Sequence, residues 1–256
     1  MARFQAFNEN GGTIFDSAVE VPVFLGKATL TNRGNASDYS YYRSQVGRVN
    51  PDLAWQDYTF SAPNSRYIIP FVRTKEYTSI TQCVRTSGNN WKISTYHLGP
   101  ATPPEVWVFG SRRDVQEKPT DIGLILYDEQ GNPIFSTSEK HIIPKGLASR
   151  VIPDNQGHGF SRPHNSWPIS WARQGVWSET IPSYVDDPLV HTGTTEYAAG
   201  NYKNYDTGGY YRVARCVGNR VDFTWGVCTA YWYTEITSVA YDQTMNVVVL
   251  DAKDYT

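Results

Sequence analysis

The sequence predicts an all-β, sandwich-like fold with negligible helix, arranged as one compact unit or two related modules. Three observations predict it. Apolar residues come in short runs broken by Gly, Pro, Asn and Asp about every ten residues, the pattern of a sandwich or barrel rather than of alternating strands and helices. Val221-Asp-Phe-Thr-Trp-Gly-Val227 alternates strictly, putting Val221, Phe223, Trp225 and Val227 on one face. The chain also holds 18 Tyr, 10 Phe and 8 Trp against 2 Met, side chains that suit pleated, half-buried surfaces.

Taken in order, strands are expected at Phe4–Asn8, Thr13–Asp16, Val19–Phe24, Tyr67–Val72, Ser79–Arg85, Trp91–Tyr96 and Val106–Phe109. In the second half they are expected at Gly123–Tyr127, Pro133–Ser136, Tyr211–Val217, Val221–Ala230 and Met245–Leu250. Val84 to Ile93 reads as strand, turn, strand, because Gly88 and its Asn neighbours tolerate the positive φ that a tight reversal needs. The stretches Pro153–Gly175 and Tyr197–Tyr211 read as long irregular segments rich in aromatics.

Two segments echo each other at an offset of 120 residues. Phe7-Asn-Glu-Asn-Gly-Gly-Thr-Ile-Phe-Asp-Ser17 aligns without gaps to Tyr127-Asp-Glu-Gln-Gly-Asn-Pro-Ile-Phe-Ser-Thr137. Each reads as a hairpin: an aromatic closes one strand, an acidic-polar-Gly turn follows, and Ile-Phe opens the return. Both continue to a Pro (Pro22, Pro144) and a Gly (Gly26, Gly146). Duplication and convergent hairpin chemistry are both open readings. Proline density at Gly99–Pro104 and the polar stretch Ser111–Asp121 place a module boundary between residues 1–115 and 116–256.

Composition narrows the function classes. A net charge of -2 gives no basic excess, so nucleic acid is not an expected partner. The N-terminus has no signal-peptide apolar core, and no apolar run reaches bilayer length, so neither secretion nor membrane insertion is expected. Synthesis in the cytoplasm follows. Cys83, Cys216 and Cys228 lack Cys-x-x-Cys spacing and read as unpaired thiols, with a Cys216–Cys228 bridge as the alternative.

Gly123-Leu-Ile-Leu-Tyr-Asp-Glu-Gln-Gly-Asn-Pro-Ile-Phe-Ser-Thr137 and its N-terminal echo at 4–17 resemble a signature of small tail-tip and tail-fibre-associated proteins of lambda-like siphophages. Ile69-Pro-Phe-Val-Arg73, the turn ahead of Trp91-Lys-Ile93, and Val106-Trp-Val-Phe109 are similar too. The resemblance covers the first 150 residues or so, with Ser136 standing where the pattern has Asp. It implies a virion structural protein of the phage tail, a symmetric oligomer with a trimer favoured, docked to other tail proteins. It carries over no catalytic residue and no cofactor.

No nucleophile elbow, phosphate-binding Gly loop or zinc helix is present. His158, His164 and Asp154 lie close in sequence, but loop histidines more often bond backbone or water than metal, so no metal site is expected. Asp186, Asp187 and Glu179 could be posed as the carboxylates of a polysaccharide-degrading tail enzyme, yet adjacent aspartates before Pro188 fit a turn better. Interaction chemistry is better represented. Tyr197, Tyr202, Tyr205, Tyr210 and Tyr211, with Tyr39, Tyr41 and Tyr42, sit in the Tyr/Gly/Asn/Ser mixture of adaptable recognition segments. Trp167, Trp171 and Trp177 are candidate anchors. The expected partners are other tail proteins, with a bacterial surface receptor as the alternative; a lectin-like cellular module is a third reading.

Overall fold

The structure, a computed structural model, describes residues 5–7, 13–16, 21–35, 48–49, 53–98, 102–115, 123–127, 130–131, 133–151, 177–192, 198–202, 205–227, 229–230 and 244–256. The first half contributes β1 (Gln5–Phe7), β2 (Thr13–Asp16), β3 (Val23–Lys27), β4 (Thr29–Asn35), β5 (Arg48–Val49), β6 (Leu53–Ser61), β7 (Ile69–Arg73), β8 (Tyr77–Arg85), β9 (Asn90–Leu98) and β10 (Glu105–Gly110). The second contributes β11 (Ile125–Tyr127), β12 (Pro133–Ser136), β13 (Gly146–Val151), β14 (Trp177–Thr180), β15 (Pro188–His191), β16 (Ala198–Tyr202), β17 (Tyr205–Val217), β18 (Arg220–Val227), β19 (Thr229–Ala230) and β20 (Thr244–Asp251). The remaining regular pieces among the described residues are short 3-10 turns, so the all-β expectation holds.

Two large antiparallel sheets carry the fold. A six-stranded sheet runs β13-β20-β15-β7-β10-β3, and an eight-stranded one runs β14-β18-β17-β8-β9-β6-β4 with β16 beside β17. Both cross the boundary expected near residue 115: β7 pairs β15 at Val72 and Val190, and β8 pairs β17 at Thr78 and Ala214. The two halves therefore share both sheets.

The main core lies between the sheets. Val72, Val106, Val108, Val190, Val247 and Val249 from the six-stranded sheet meet Tyr58, Ile80, Trp91, Ile93, Ala214, Val221 and Phe223 from the other. Alternate residues of the six-stranded sheet point the other way, where Phe71, Trp107, Phe109, Leu189 and Leu250 form a second cluster. That sheet is thus buried on both faces, which is why Val106–Phe109 and Val247–Leu250 read as continuous apolar runs.

Aromatic packing fills the second cluster. Phe24 lies 5.1 Å from Trp107 and 5.5 Å from Phe109, and Tyr255 packs edge-on to Phe109 at 4.9 Å. The chain following β12 closes the sheet around it. Phe24 N–H donates to the Lys140 carbonyl (2.8 Å) and Ile142 N–H to Pro22 (3.1 Å), after which Lys145 N–H donates to Val249 (2.8 Å). One stretch thus bonds β3 first and β20 next, joining the sheet's two ends. The 3-10 turn Ala252–Tyr255 sits on the opening: Tyr255 accepts from Ile143 N–H through its hydroxyl and from the Lys140 ammonium through its carbonyl.

The predicted reversal between β8 and β9 is present, with Gly88 at φ 76° and Asn89 at φ 69°. Both hairpins of the echo are present as well. Gln5, Ala6 and Phe7 stand opposite Asp16, Phe15 and Thr13, while Ile125, Leu126 and Tyr127 stand opposite Ser136, Phe135 and Pro133. One expectation is corrected. The sequence reads as irregular over Tyr197–Tyr211, but from Ala198 to Tyr202 and from Tyr205 onward it pairs as the hairpin β16–β17. Its Gly and Asn residues suggested a loop, whereas the pairing Ala199–Gly209 shows that a strand accommodates them at a register shift.

Candidate docking surfaces

The tyrosine hairpin is an outgrowth of the eight-stranded sheet. β17 is 13 residues long, and its beginning pairs with β16 on one side, while Tyr210 to Val217 pair with β18 on the other. This places Tyr202 and Tyr205 opposite each other at the far end, and Tyr210 opposite Ala198 on β16 and Val227 on β18. Tyr211 faces Gly226. Trp177 lies on the edge strand β14 opposite Phe223. The other candidates, Tyr39, Tyr41, Tyr42, Trp167, Trp171 and Tyr197, lie outside the described residues. The backbone therefore brings Tyr202, Tyr205, Tyr210 and Tyr211 onto one hairpin and places Trp177 two strands away from it in the same sheet.

Sequence reasoning missed an exposed surface at the edge strand β13. Leu147 is 66% exposed, Ile143 48% and Tyr184 65%. The Tyr184 hydroxyl donates to the Lys145 carbonyl (3.2 Å), which sets the ring beside the chain that joins Ile143 to Leu147. Large apolar side chains left together in water are a contact surface in the physical sense, because covering them is favourable. No local signal in the sequence marks it: Ile142-Ile-Pro-Lys-Gly-Leu147 is interrupted by Pro144, Lys145 and Gly146, and Tyr184 lies far along the chain. On the second hairpin of the echo, Leu124 and Tyr127 are also exposed.

An open cleft of about 860 Å³ lies between β3, β4 and β6, lined by Phe24, Phe60, Lys27, Asn90, Asp114 and Lys140 among others. Its charges are already engaged. Lys27 binds Glu105 at 2.7 Å and lies 4.5 Å from the centre of the Trp107 ring. Asp114 accepts from Asn64 N–H and from the Ser65 hydroxyl, and Lys140 holds Tyr255.

The carboxylates posed for hydrolysis are spread among separate tasks. Asp186 binds Lys253 at 2.5 Å, and its N–H donates to Asp251. Asp187 binds Arg73 at 2.9 Å and gives its carbonyl to Ala252 N–H. Glu179 sits on β14 opposite Val221. The two aspartates thus shape and pin the turn into β15, as their position before Pro188 suggested.

Buried polar groups serve the frame. Asp222, 1% exposed at its side chain, accepts from Ser178 (2.7 Å), Arg215 (3.2 Å) and Arg220 (2.7 Å). Burial alone would raise its pKa, but these donors and positive charges outweigh it and lower the value. Arg112, at the end of β10, forms a buried ion pair with Glu139 beyond β12, tying the halves together; burial raises the Glu139 pKa against the pull of that arginine. His97 is fully buried and bonds Gln56, and burial lowers its pKa to about 4.

Cys83 and Cys216 are free thiols, pushed up by burial to about 11 and about 12, so both stay protonated and unreactive near neutrality. Cys228, His158, His164 and Asp154 lie outside the described residues. Among the described residues no three His, Cys, Asp or Glu side chains gather as metal ligands, and none of their helices is long and apolar enough to cross a membrane. Comparison of the chain with protein-family models, curated proteins and solved structures returns no match.

Proposed function

We propose that this protein is a structural and binding component of a bacteriophage tail, at the tail tip or associated with its fibres, assembled as an oligomer with other tail proteins. The observation that carries this reading is the pair of signature segments, 4–17 and 123–137. The resemblance rests on them, and both fold as the same kind of bulged hairpin. Its action is docking without turnover, through exposed edge residues such as Leu147 and Tyr184 and through the tyrosine hairpin.

Immunogold electron microscopy with antibody to the protein, on phage particles from its source, tests the proposal. Gold at the tail end supports it. Virions that remain unlabelled while a known tail protein labels cleanly would sink it.

A second reading, recognition of a bacterial surface receptor, is favoured by one observation. β16 and the start of β17 form a tyrosine-bearing hairpin that grows out of the sheet rather than completing it. Tyr supplies broad contact area at small entropic cost. Adsorption of phage carrying the chain without Gly200–Gly209 separates the readings: tail assembly with lost adsorption favours receptor binding, and failed assembly favours docking within the tail.

A further inference from the structure

We infer that the two halves are copies of one module and that the molecule is a fused dimer, folded about an internal two-fold axis whose central seams fit a second copy of that module. Strand order gives the first argument. From its ends inward, the six-stranded sheet reads β3, β10, β7 from one half and β13, β20, β15 from the other. In each case these are the first strand after the hairpin, the last strand, and a middle strand. Inside the eight-stranded sheet, β6-β9-β8 is likewise answered by β14-β18-β17.

At the centre of each sheet a strand meets its own counterpart antiparallel, β7 with β15 and β8 with β17. A two-fold axis perpendicular to a sheet produces that pairing, as it does in isologous dimers. The pair at the first seam is Val72 and Val190, and the strands read Pro70-Phe-Val72 and Pro188-Leu-Val190. Phe71 and Leu189 enter the second cluster, and Val72 and Val190 the first.

Local detail repeats with the topology. The hairpins β1–β2 and β11–β12 match pair for pair and shift register at the same place, after Ala6 and after Leu126. Gly26 stands opposite Val108, and Gly146 opposite Val249. Ser61 pairs with Asn90 and Thr180 with Arg220; the next residues, Ala62 and Ile181, donate their N–H to Asn89 and Asn219. Each of those asparagines follows a glycine at positive φ, 76° at Gly88 and 58° at Gly218. Both last strands end in a 3-10 turn capped by a side chain, Ser111 on Arg113 N–H and Asp251 on Lys253 N–H. Convergent hairpin chemistry accounts for a turn. It does not account for mirrored strand order in two sheets with matching registers.

The copies differ by what has been added. β7 reaches β8 through residues 74–76, whereas β15 reaches β17 through a stretch that includes β16; the tyrosine hairpin is therefore an insertion in the second copy.

Two experiments on the full-length chain test the inference. The first exchanges residues 5–16 with 125–136. The exchanged chain is expected to keep its β circular-dichroism spectrum and to melt within about 5 °C of the parent. A control carrying an unrelated hairpin of equal length at 125–136 is expected to melt distinctly lower. An exchanged chain that melts as low as the control would overturn equivalence of the hairpins. The second places a protease site with a flexible spacer between Lys118 and Pro119 and cuts the folded protein. Native mass spectrometry is expected to find both pieces together at the mass of the whole chain, parting in urea and rejoining on its removal. Pieces that separate in native buffer would overturn the seam as a dimer-like interface.

Discussion

At two matched connections the N-terminal half is terse, while the C-terminal half interrupts the same order with long additions. β7 leads to β8 over residues 74–76 and β9 to β10 over 99–104; their counterparts are separated by 192–204, including β16, and by 228–243, including β19. The side chains diverge as well. At matched places, Lys92 of β9 faces Thr59 and Asp222 of β18 faces Ser178. Lys92 is 38% exposed and reaches Asp57 at 2.9 Å, whereas Asp222 is buried among two arginines and a serine. The contrast teaches that the frame fixes where a charge stands, and the neighbouring strand decides which sign it can carry. A charge in water at that place costs little, and the same place once covered requires full pairing.

The comparison breaks first at the seam. Val72→Asp and Val190→Asp each put an unpaired carboxylate between the sheets, and each is expected to cost more than about 4 kcal/mol. Urea unfolding checks this; tolerance of one but not the other would mean that the two sides of the seam are not equivalent. Next comes the charge pair at matched places. Asp222→Ala leaves Arg215 and Arg220 without their buried acceptor and is expected to cost about 3 kcal/mol, against less than about 1 kcal/mol for Lys92→Ala. Equal losses in thermal melts would remove the distinction drawn above.

A smaller effect follows from His97, which on the same matching stands where β18 has Val227. Its folded pKa, about 4, lies below the ordinary 6.5, so the unfolded chain takes up a proton that the folded chain refuses. Its contribution to stability is therefore complete above pH 6.5 and is lost as pH falls toward 4, by roughly 2–3 kcal/mol. His97→Gln should flatten this acid limb in urea titrations between pH 7 and 4. An unchanged limb would assign it to other groups. Smallest of all is the loss of residues 200–209. Melting is expected to move by under about 4 °C, since the hairpin lies beyond the matched strands; a loss confined to phage assembly or adsorption is what the proposed docking role requires. A chain that no longer folds would show the hairpin to be part of the frame.

Fold class was legible because the apolar runs carry it, and those of the six-stranded sheet are unbroken for the reason that both its faces are covered. Several strands were not legible. β6 buries Ala54, Gln56 and Tyr58 on one face, and a buried glutamine serving His97 and Thr95 erases the alternation that marks a strand. β4 is an exposed edge of Thr, Asn and Arg, with no apolar face to detect. β15 is four residues long and begins with Pro188, a residue that argues against a central strand when read alone. Of the candidate surfaces, the tyrosines were found by composition while their pairing was hidden by Gly200, Gly208 and Gly209. The Leu147–Tyr184 surface depends on two segments far apart in sequence, and no local pattern announces it.

The way Tyr255 and the chain around Lys140 complete the six-stranded sheet bears on the order of events at the ribosome. When β10 emerges, Phe24, Phe71, Trp107 and Phe109 already have their strands, but neither the Lys140–Ile142 stretch that flanks β3 nor Tyr255 has been made. The first half must wait with an aromatic face open to water through the synthesis of everything up to Ala252–Tyr255, a period of roughly 10 s or more at bacterial-like elongation rates. Exposed apolar surface of that kind is prone to aggregate during the interval, a vulnerability that belongs to the growing chain and ends when Tyr255 docks.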